Sequence, residues 1–214
     1  MKNTLLLDLD KTLVNVMDYV DYCAALNELS RSLDRELSAQ VPSTYWGECV
    51  SKTMEILVGL SGSADWEKAS QLVERYEMLG AVDSKPMPGL RKLTQELPHF
   101  KRTAVVTLLT NETAWHVLRM HGINVNLVVG REGRLRPKPY PDQLVEALNH
   151  LGSTPKESVM VGDSEWDERA AWAAGVDFIA VTNGRENHGF KTNISVVKNL
   201  EEACDVLRLL RISL

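Results

Sequence analysis

The sequence lacks most of what marks a nucleic-acid binder, a membrane protein or a disulfide-stapled domain. Its 24 Lys and Arg are outnumbered by 29 Asp and Glu, a formal net charge of −5. The clustered positive charge that displaces counterions from a long nucleic-acid footprint is therefore missing. No apolar run approaches the ~20 residues of a membrane span, and Asp8 and Asp10 interrupt the stretch that a signal peptide would keep apolar. The cysteines, Cys23, Cys49 and Cys204, are odd in number and far apart. They read as reduced thiols without a disulfide framework or zinc spacing, and the expectation is a soluble, cytoplasmic protein. His99, His116, His121, His150 and His188 show no ligand spacing and read as structural or exposed. Internal repeats and low-complexity tracts are absent as well.

What is there is ordinary globular material: 214 residues, 44% hydrophobic and 25% charged, enough to bury a sizeable core. Short apolar runs at Thr4–Leu9, Thr103–Leu109, Asn126–Val129, Ser158–Val161, Phe178–Val181 and Ser195–Val197 read as strands. They alternate with amphipathic stretches at Leu90–Leu97, Glu112–His121, Asp142–Leu151, Glu165–Ala174 and Glu201–Leu210. Near-continuous apolar strands separated by helices imply a parallel sheet covered on both faces, a doubly wound, Rossmann-like α/β core. Residues 15–84 break this rhythm. They show only helical periodicity, with helices expected over Tyr19–Leu37, Trp46–Leu60 and Trp66–Leu79, and Asp83–Gly89 reads as a hinge back to the core. The insertion carries 5 Lys and Arg against 12 Asp and Glu, a net of −7, and leaves the remainder near +2.

Open parallel sheets bind ligands beyond the carboxyl ends of their strands, and the residues just past the apolar runs form a consistent set. The first run leads into Asp8-Leu9-Asp10-Lys11-Thr12, the second into Thr110-Asn111, and Ser158–Val161 into Gly162-Asp163-Ser164-Glu165-Trp166-Asp167. Lys138, in Arg136-Pro137-Lys138-Pro139, precedes a helix. Carboxylates, a hydroxyl and a lysine in one crevice fit Mg²⁺-assisted phosphoryl transfer. Magnesium takes hard oxygen ligands, a carboxylate can attack phosphorus, and a lysine and a hydroxyl neutralise charge on the transferring group. Two local alternatives stand beside this reading. Thr110-Asn111 suits an N-cap, and Ser164 with Asp167 has the form of a capping box.

Together these segments resemble the haloacid dehalogenase (HAD) superfamily, in its phosphoglycolate-phosphatase-like branch. Asp8-Leu9-Asp10-Lys11-Thr12-Leu13 is similar to the DxDxT signature, Thr110-Asn111 to the second motif, Lys138 to the third and Gly162–Asp167 to the fourth. Met87-Pro88-Gly89-Leu90 resembles the segment that follows that branch's helical cap. The resemblance implies an α/β core over residues 1–14 and 85–214 and a helical cap over 15–84. It implies Asp8 as nucleophile and Asp10 as general acid and then base, with Lys138, Thr110 and Asn111 at the phosphoryl oxygens. Mg²⁺ would be held by Asp8, Asp10 (through its backbone carbonyl) and Asp163, with Asp167 behind them. Asp at position 10 favours phosphate chemistry over carbon–halogen cleavage, since dehalogenase members lack that acid. Lys11 departs from the glycine common at its position.

The expected activity is Mg²⁺-dependent hydrolysis of a small phosphorylated metabolite through an aspartyl-phosphate, without nucleic-acid or membrane partners. Whether the chain is a monomer or a dimer stays open. Two alternatives also stay open: a phosphomutase of the β-phosphoglucomutase kind, and a non-catalytic binding module. Asp18 and Asp21, if the first cap helix leans over the site, would favour a cationic or polyhydroxyl leaving group.

Overall fold

The computed structural model describes residues 1–33, 41–192 and 194–212. Among them, six strands form one parallel sheet: β1 (Thr4–Leu7), β4 (Arg102–Val106), β5 (Leu127–Val129), β6 (Ser158–Gly162), β7 (Asp177–Val181) and β8 (Ser195–Val197), in the order β5-β4-β1-β6-β7-β8. The apolar runs lack polar alternation because both faces are covered. Leu5 and Leu7 face a layer built on α4 (Leu90–Glu96), α5 (Asn111–Met120) and α8 (Leu200–Ile212), whereas Leu6 faces α6 (Asp142–Leu151) and α7 (Glu165–Ala173). The expected doubly wound α/β architecture is thus the observed one. β1 lies between β4 and β6, so the winding reverses at its carboxyl end. That end is the crevice where such sheets take ligands.

The second apolar run stops being a strand earlier than its composition suggests. β4 ends at Val106, the last residue paired with β5. Beyond it the chain turns, with the Leu109 N–H donating to Thr107 Oγ1 at 3.2 Å. Leu108 and Leu109 stay apolar because Leu108 packs on the helical insert and Leu109 fills the sheet core.

The insert leaves and re-enters the sheet domain through a small antiparallel ribbon, β2 (Val14–Asn15) with β3 (Lys85–Pro86). Between them lie α1 (Tyr22–Ser32), α2 (Glu48–Leu60) and α3 (Trp66–Ala81), which share their own apolar cluster. Asp21 starts α1 by accepting the Ala24 N–H at 2.9 Å, and Tyr22, Ala25 and Leu29 turn inward at helical spacing. The helix expected over Tyr19–Leu37 begins three residues later than expected, and the end of that expectation lies outside the described residues.

The reading of the cysteines as wholly reduced is corrected. Cys23 and Cys49 form a disulfide. They sit at the second positions of α1 and α2, and the packing of these helices brings their Cα atoms to 5.0 Å although 26 residues separate them in sequence. Wide sequence spacing says nothing about pairing once two helices lie side by side. Cys204 is a buried free thiol, its pKa pushed up to about 11 by burial. Among the described residues, no helix is long and apolar enough to cross a membrane.

A thiol titration of unfolded, unreduced protein is expected to count one free cysteine, rising to three after reduction. Cys23→Ser is expected to lower unfolding free energy by about 3 kcal/mol, measured by urea denaturation, for a loop of this length.

Candidate active site

At the reversal point beyond β1, a buried cation sits between two buried carboxylates. Lys138 Nζ donates to Asp8 Oδ1 at 2.6 Å, to Asp167 Oδ1 at 2.5 Å and to the Val106 carbonyl at 2.9 Å. Those three bonds use all the donors an ammonium has. Lys138 reaches this position from the loop between β5 and α6, where its N–H donates to Gln143 Oε1 at 3.0 Å. Gln143 Nε2 in turn donates to the carbonyls of Thr107 and Gly130 at 2.9 and 2.7 Å. One buried amide thereby ties the lysine loop to the end of β4.

The other carboxylates arrive from strand ends and a helix start. Asp8 directly follows β1, and Asp10 lies two residues later, accepting the N–H groups of Val16 and Met17 at 2.8 and 3.0 Å. Asp163 follows β6 and accepts from Thr12 Oγ1 at 3.0 Å. Asp167 and Ser164 form the capping box of α7, and Asp167 Oδ2 accepts from Ser164 Oγ at 2.6 Å. Gly162 permits this approach, because a Cβ there would lie 2.6 Å from the Asp167 Cβ. Lys11 holds φ of 63°, in the left-handed region that favours glycine. Its Nζ pairs with Asp18 at 2.5 Å.

Burial dominates the acid strengths, and neighbouring carboxylates add to it. Burial raises the Asp8 pKa to about 7, opposed by Lys138 and reinforced by Asp167 and Asp10. Burial raises Asp10 to about 6, opposed by the Met17 and Val16 N–H groups. Asp163 is raised well above the carboxylate range by burial, then by Asp8 and Asp167. Lys138 loses by burial but gains more from Asp167 and Asp8, so its pKa rises. Ligand oxygens of Asp8, Asp163 and Asp167 lie within 4.8 Å of one another. Three buried carboxylates around one ammonium leave negative charge that a divalent cation fits, and the donors are the hard oxygens Mg²⁺ prefers. Asp167 already serves Lys138 and Ser164, and Asp163 accepts from Thr12 and Tyr45, which leaves the second oxygen of Asp8 as the freest donor.

Asp8, Asp10, Lys138, Asp163 and Asp167 therefore line one cavity, of about 30 Å³. At roughly 10–15 Å³ per water, this is room for two or three waters. Thr110 and Asn111 are not among its lining residues, which corrects the expectation that they meet the same phosphoryl group. Thr110 caps α5 and donates to Glu74 of α3. Asn111 accepts the Gly130 N–H at 2.7 Å and donates to Glu132. Both face a separate cavity of about 440 Å³. Of the hydroxyl residues that do line the site, Ser164 donates to Asp167 and Tyr22 to Glu77, which leaves Thr107. Its signal is its place straight after β4, obscured because the apolar run continues through Leu108-Leu109. Asp18 and Asp21 are also elsewhere, the first held by Lys11 and Asn15, the second capping α1.

The insert closes the cavity from above. Trp46 packs against Trp166 of α7 with ring centroids 4.9 Å apart, and Trp166 Nε1 donates to the Pro42 carbonyl at 2.8 Å. The Tyr45 hydroxyl donates to Asp163 Oδ2, while Arg185 stacks on the Tyr45 ring at 3.6 Å. On the other side Arg131, in the loop after β5, forms a buried ion pair with Glu77 of α3 at 2.9 Å.

Known proteins are similar to this chain in sequence and in fold. A phosphoglycolate phosphatase of Nitrosospira multiformis is 29% identical over 191 residues, covering 84% of this chain and 82% of the relative. A pyrophosphatase of Halalkalibacterium halodurans is 26% identical over 182 residues, covering 81% and 80%. A crystal structure of a HAD-superfamily hydrolase, subfamily IA, from Geobacter sulfurreducens shares the fold with a TM-score of 0.62 at 22% identity, covering 96% of both chains. The family described as haloacid dehalogenase-like hydrolase matches residues 5–181, a span running from β1 to the end of β7 and containing every carboxylate of the cavity. The chain belongs to the haloacid dehalogenase-like hydrolase family.

Proposed function

We propose that this hydrolase is a phosphatase that cleaves a small phosphomonoester by transferring its phosphoryl group to Asp8. The observation that carries the reading is the Lys138–Asp8 contact of 2.6 Å at the reversal point of the sheet, with Asp10 two residues further on. Lys138 fixes the direction of the Asp8 carboxylate and supplies positive charge where the phosphoryl oxygens gather. Asp8 attacks phosphorus and the ester oxygen leaves with a proton from Asp10, whose raised pKa suits an acid. Asp10 then takes a proton from water, the water attacks the aspartyl-phosphate, and phosphate departs. Thr107 is positioned to donate to a phosphoryl oxygen, in the role that the sequence assigned to Thr110.

Mg²⁺ would be held by the Asp8 and Asp163 carboxylates and the Asp10 carbonyl, with Asp167 orienting Lys138 behind them. When bound it offsets the negative charge of the phosphoryl group and the carboxylates. The insert acts as a lid. A cavity of about 30 Å³ does not admit a phosphate ester, so opening has to precede substrate entry and product release. Relatives named phosphoglycolate phosphatase and pyrophosphatase support the reaction class.

Two measurements test this assignment. Asp8→Asn is expected to reduce Mg²⁺-dependent phosphate release from an aryl phosphate by at least about 10³-fold without loss of folded structure by circular dichroism. Activity near that of the parent protein would refute the mechanism. Thr107→Val is expected to lower kcat/KM by about 10²-fold, as for the loss of one donor to a developing oxyanion. Thr110→Val is expected to cost about 1 kcal/mol of stability through the lost cap and to leave kcat/KM within about threefold.

A further inference from the structure

The wall facing the carboxylates is apolar. From the insert side it consists of Met17, Tyr22, Trp46 and Met54, with Leu108 completing it from the loop after β4. Tyr22 turns its polar atom away, since its hydroxyl donates to Glu77 Oε1 at 3.3 Å. What covers a bound phosphoryl group is therefore carbon, sulfur and aromatic surface.

The cations nearby are already committed. Among the described residues, Lys138 is the one Lys or Arg that lines the cavity, and its three donors are occupied. Arg131 is buried on the border between insert and sheet domain and makes five hydrogen bonds. Nε donates to Ser70 Oγ, Nη1 to Glu77 Oε1 and the Leu108 carbonyl, and Nη2 to Glu77 Oε2 and the Ser70 carbonyl. A guanidinium has five N–H donors, so none remains for a ligand. Arg185 lies over the Tyr45 ring, donates to the Asp163 carbonyl and faces the Asp163 carboxylate at 3.8 Å, and Lys11, which acts on Asp10, is paired with Asp18.

With the lid open to admit substrate, a carboxylate or second phosphate on the leaving group would thus meet an apolar wall, losing its water without gaining a cation. A neutral hydrocarbon group gains from the same surface. Resting on the phosphatase reading above, we infer that the substrate is a phosphate monoester of a small uncharged apolar alcohol, alkyl or aryl, and that Trp46 and Met54 determine this specificity. Against the phosphoglycolate and pyrophosphate handled by the named relatives, the leaving-group recess of this chain selects a different ligand chemistry.

The test is a comparison of kcat/KM for the full chain with Mg²⁺ on propyl phosphate, phenyl phosphate, phosphoglycolate and pyrophosphate. Propyl and phenyl phosphate are expected to exceed both anionic substrates by at least about tenfold. Met54→Lys, which places a cation in the wall, is expected to shift the phosphoglycolate-to-propyl phosphate ratio by at least about tenfold toward phosphoglycolate. A circular dichroism spectrum and urea midpoint close to those of the parent chain show that this variant folds. Phosphoglycolate or pyrophosphate turned over as well as the neutral esters by the parent chain would overturn the specificity and leave the phosphatase reading standing. An unchanged ratio in Met54→Lys would remove Met54 from it. Phosphate release from none of the four would overturn both readings.

Discussion

Lys138 is a buried ammonium whose three donors are shared among Asp8, Asp167 and a strand-end carbonyl, and the organisation of the site follows from that arrangement. An isolated charge buried so deeply would cost many kcal/mol, so the cation requires its carboxylates and they require it. The contact also joins distant segments. Asp8 belongs to the end of β1, Asp167 to the start of α7 and Val106 to the end of β4, so one side chain fastens the strand ends around the reversal point. Gln143 extends the link by bonding the lysine's own N–H and the turn that carries Thr107. The same electrostatics leave the centre short of positive charge. Asp8 and Asp163 are both pushed toward their neutral forms, which is the condition a bound divalent cation relieves.

The helical insert is tied to this centre through polar and aromatic contacts on opposite sides. Arg131 with Glu77 anchors α3 to the loop after β5. Trp166 with Trp46, and Tyr45 with Asp163 and Arg185, anchor the segment before α2 to the start of α7. The Tyr45 hydroxyl occupies an oxygen of Asp163, a carboxylate proposed to hold the metal. In the proposed reaction, Tyr45 has to exchange partners as the cation and the ester enter. The Cys23–Cys49 disulfide joins α1 to α2 within the insert, which connects to the sheet domain through the β2–β3 ribbon.

Much of this was readable from the order of residues, because strand ends are where a parallel sheet collects its chemistry. Asp8, Asp10 and Asp163 each follow a buried apolar run, and the structure brings them to one cavity with Lys138 and Asp167. Capping chemistry was readable for the same local reason, as Thr110 and Ser164 start α5 and α7. What escaped depended on partners far away in sequence. Leu108 and Leu109 prolong an apolar run past the last paired residue of β4, so the hydroxyl entering the site is Thr107, three residues before the one expected. The disulfide depends on the packing of α1 against α2, which cysteine spacing does not encode. Asp18 was placed over the site by helix position, but Lys11, held in a left-handed conformation, takes it instead. The negative charge of the insert does not reach the cavity wall that it contributes. That wall is apolar, and helical periodicity does not distinguish an apolar residue facing a ligand from one facing the core.

In the proposed reaction the phosphoryl group passes through Asp8. Rapid quenching of the enzyme during turnover, followed by borohydride reduction and peptide mass spectrometry, converts a phosphorylated aspartate into homoserine at its own position. Homoserine is expected at residue 8. Homoserine at residue 10, or none at either position while phosphate is being released, would contradict it.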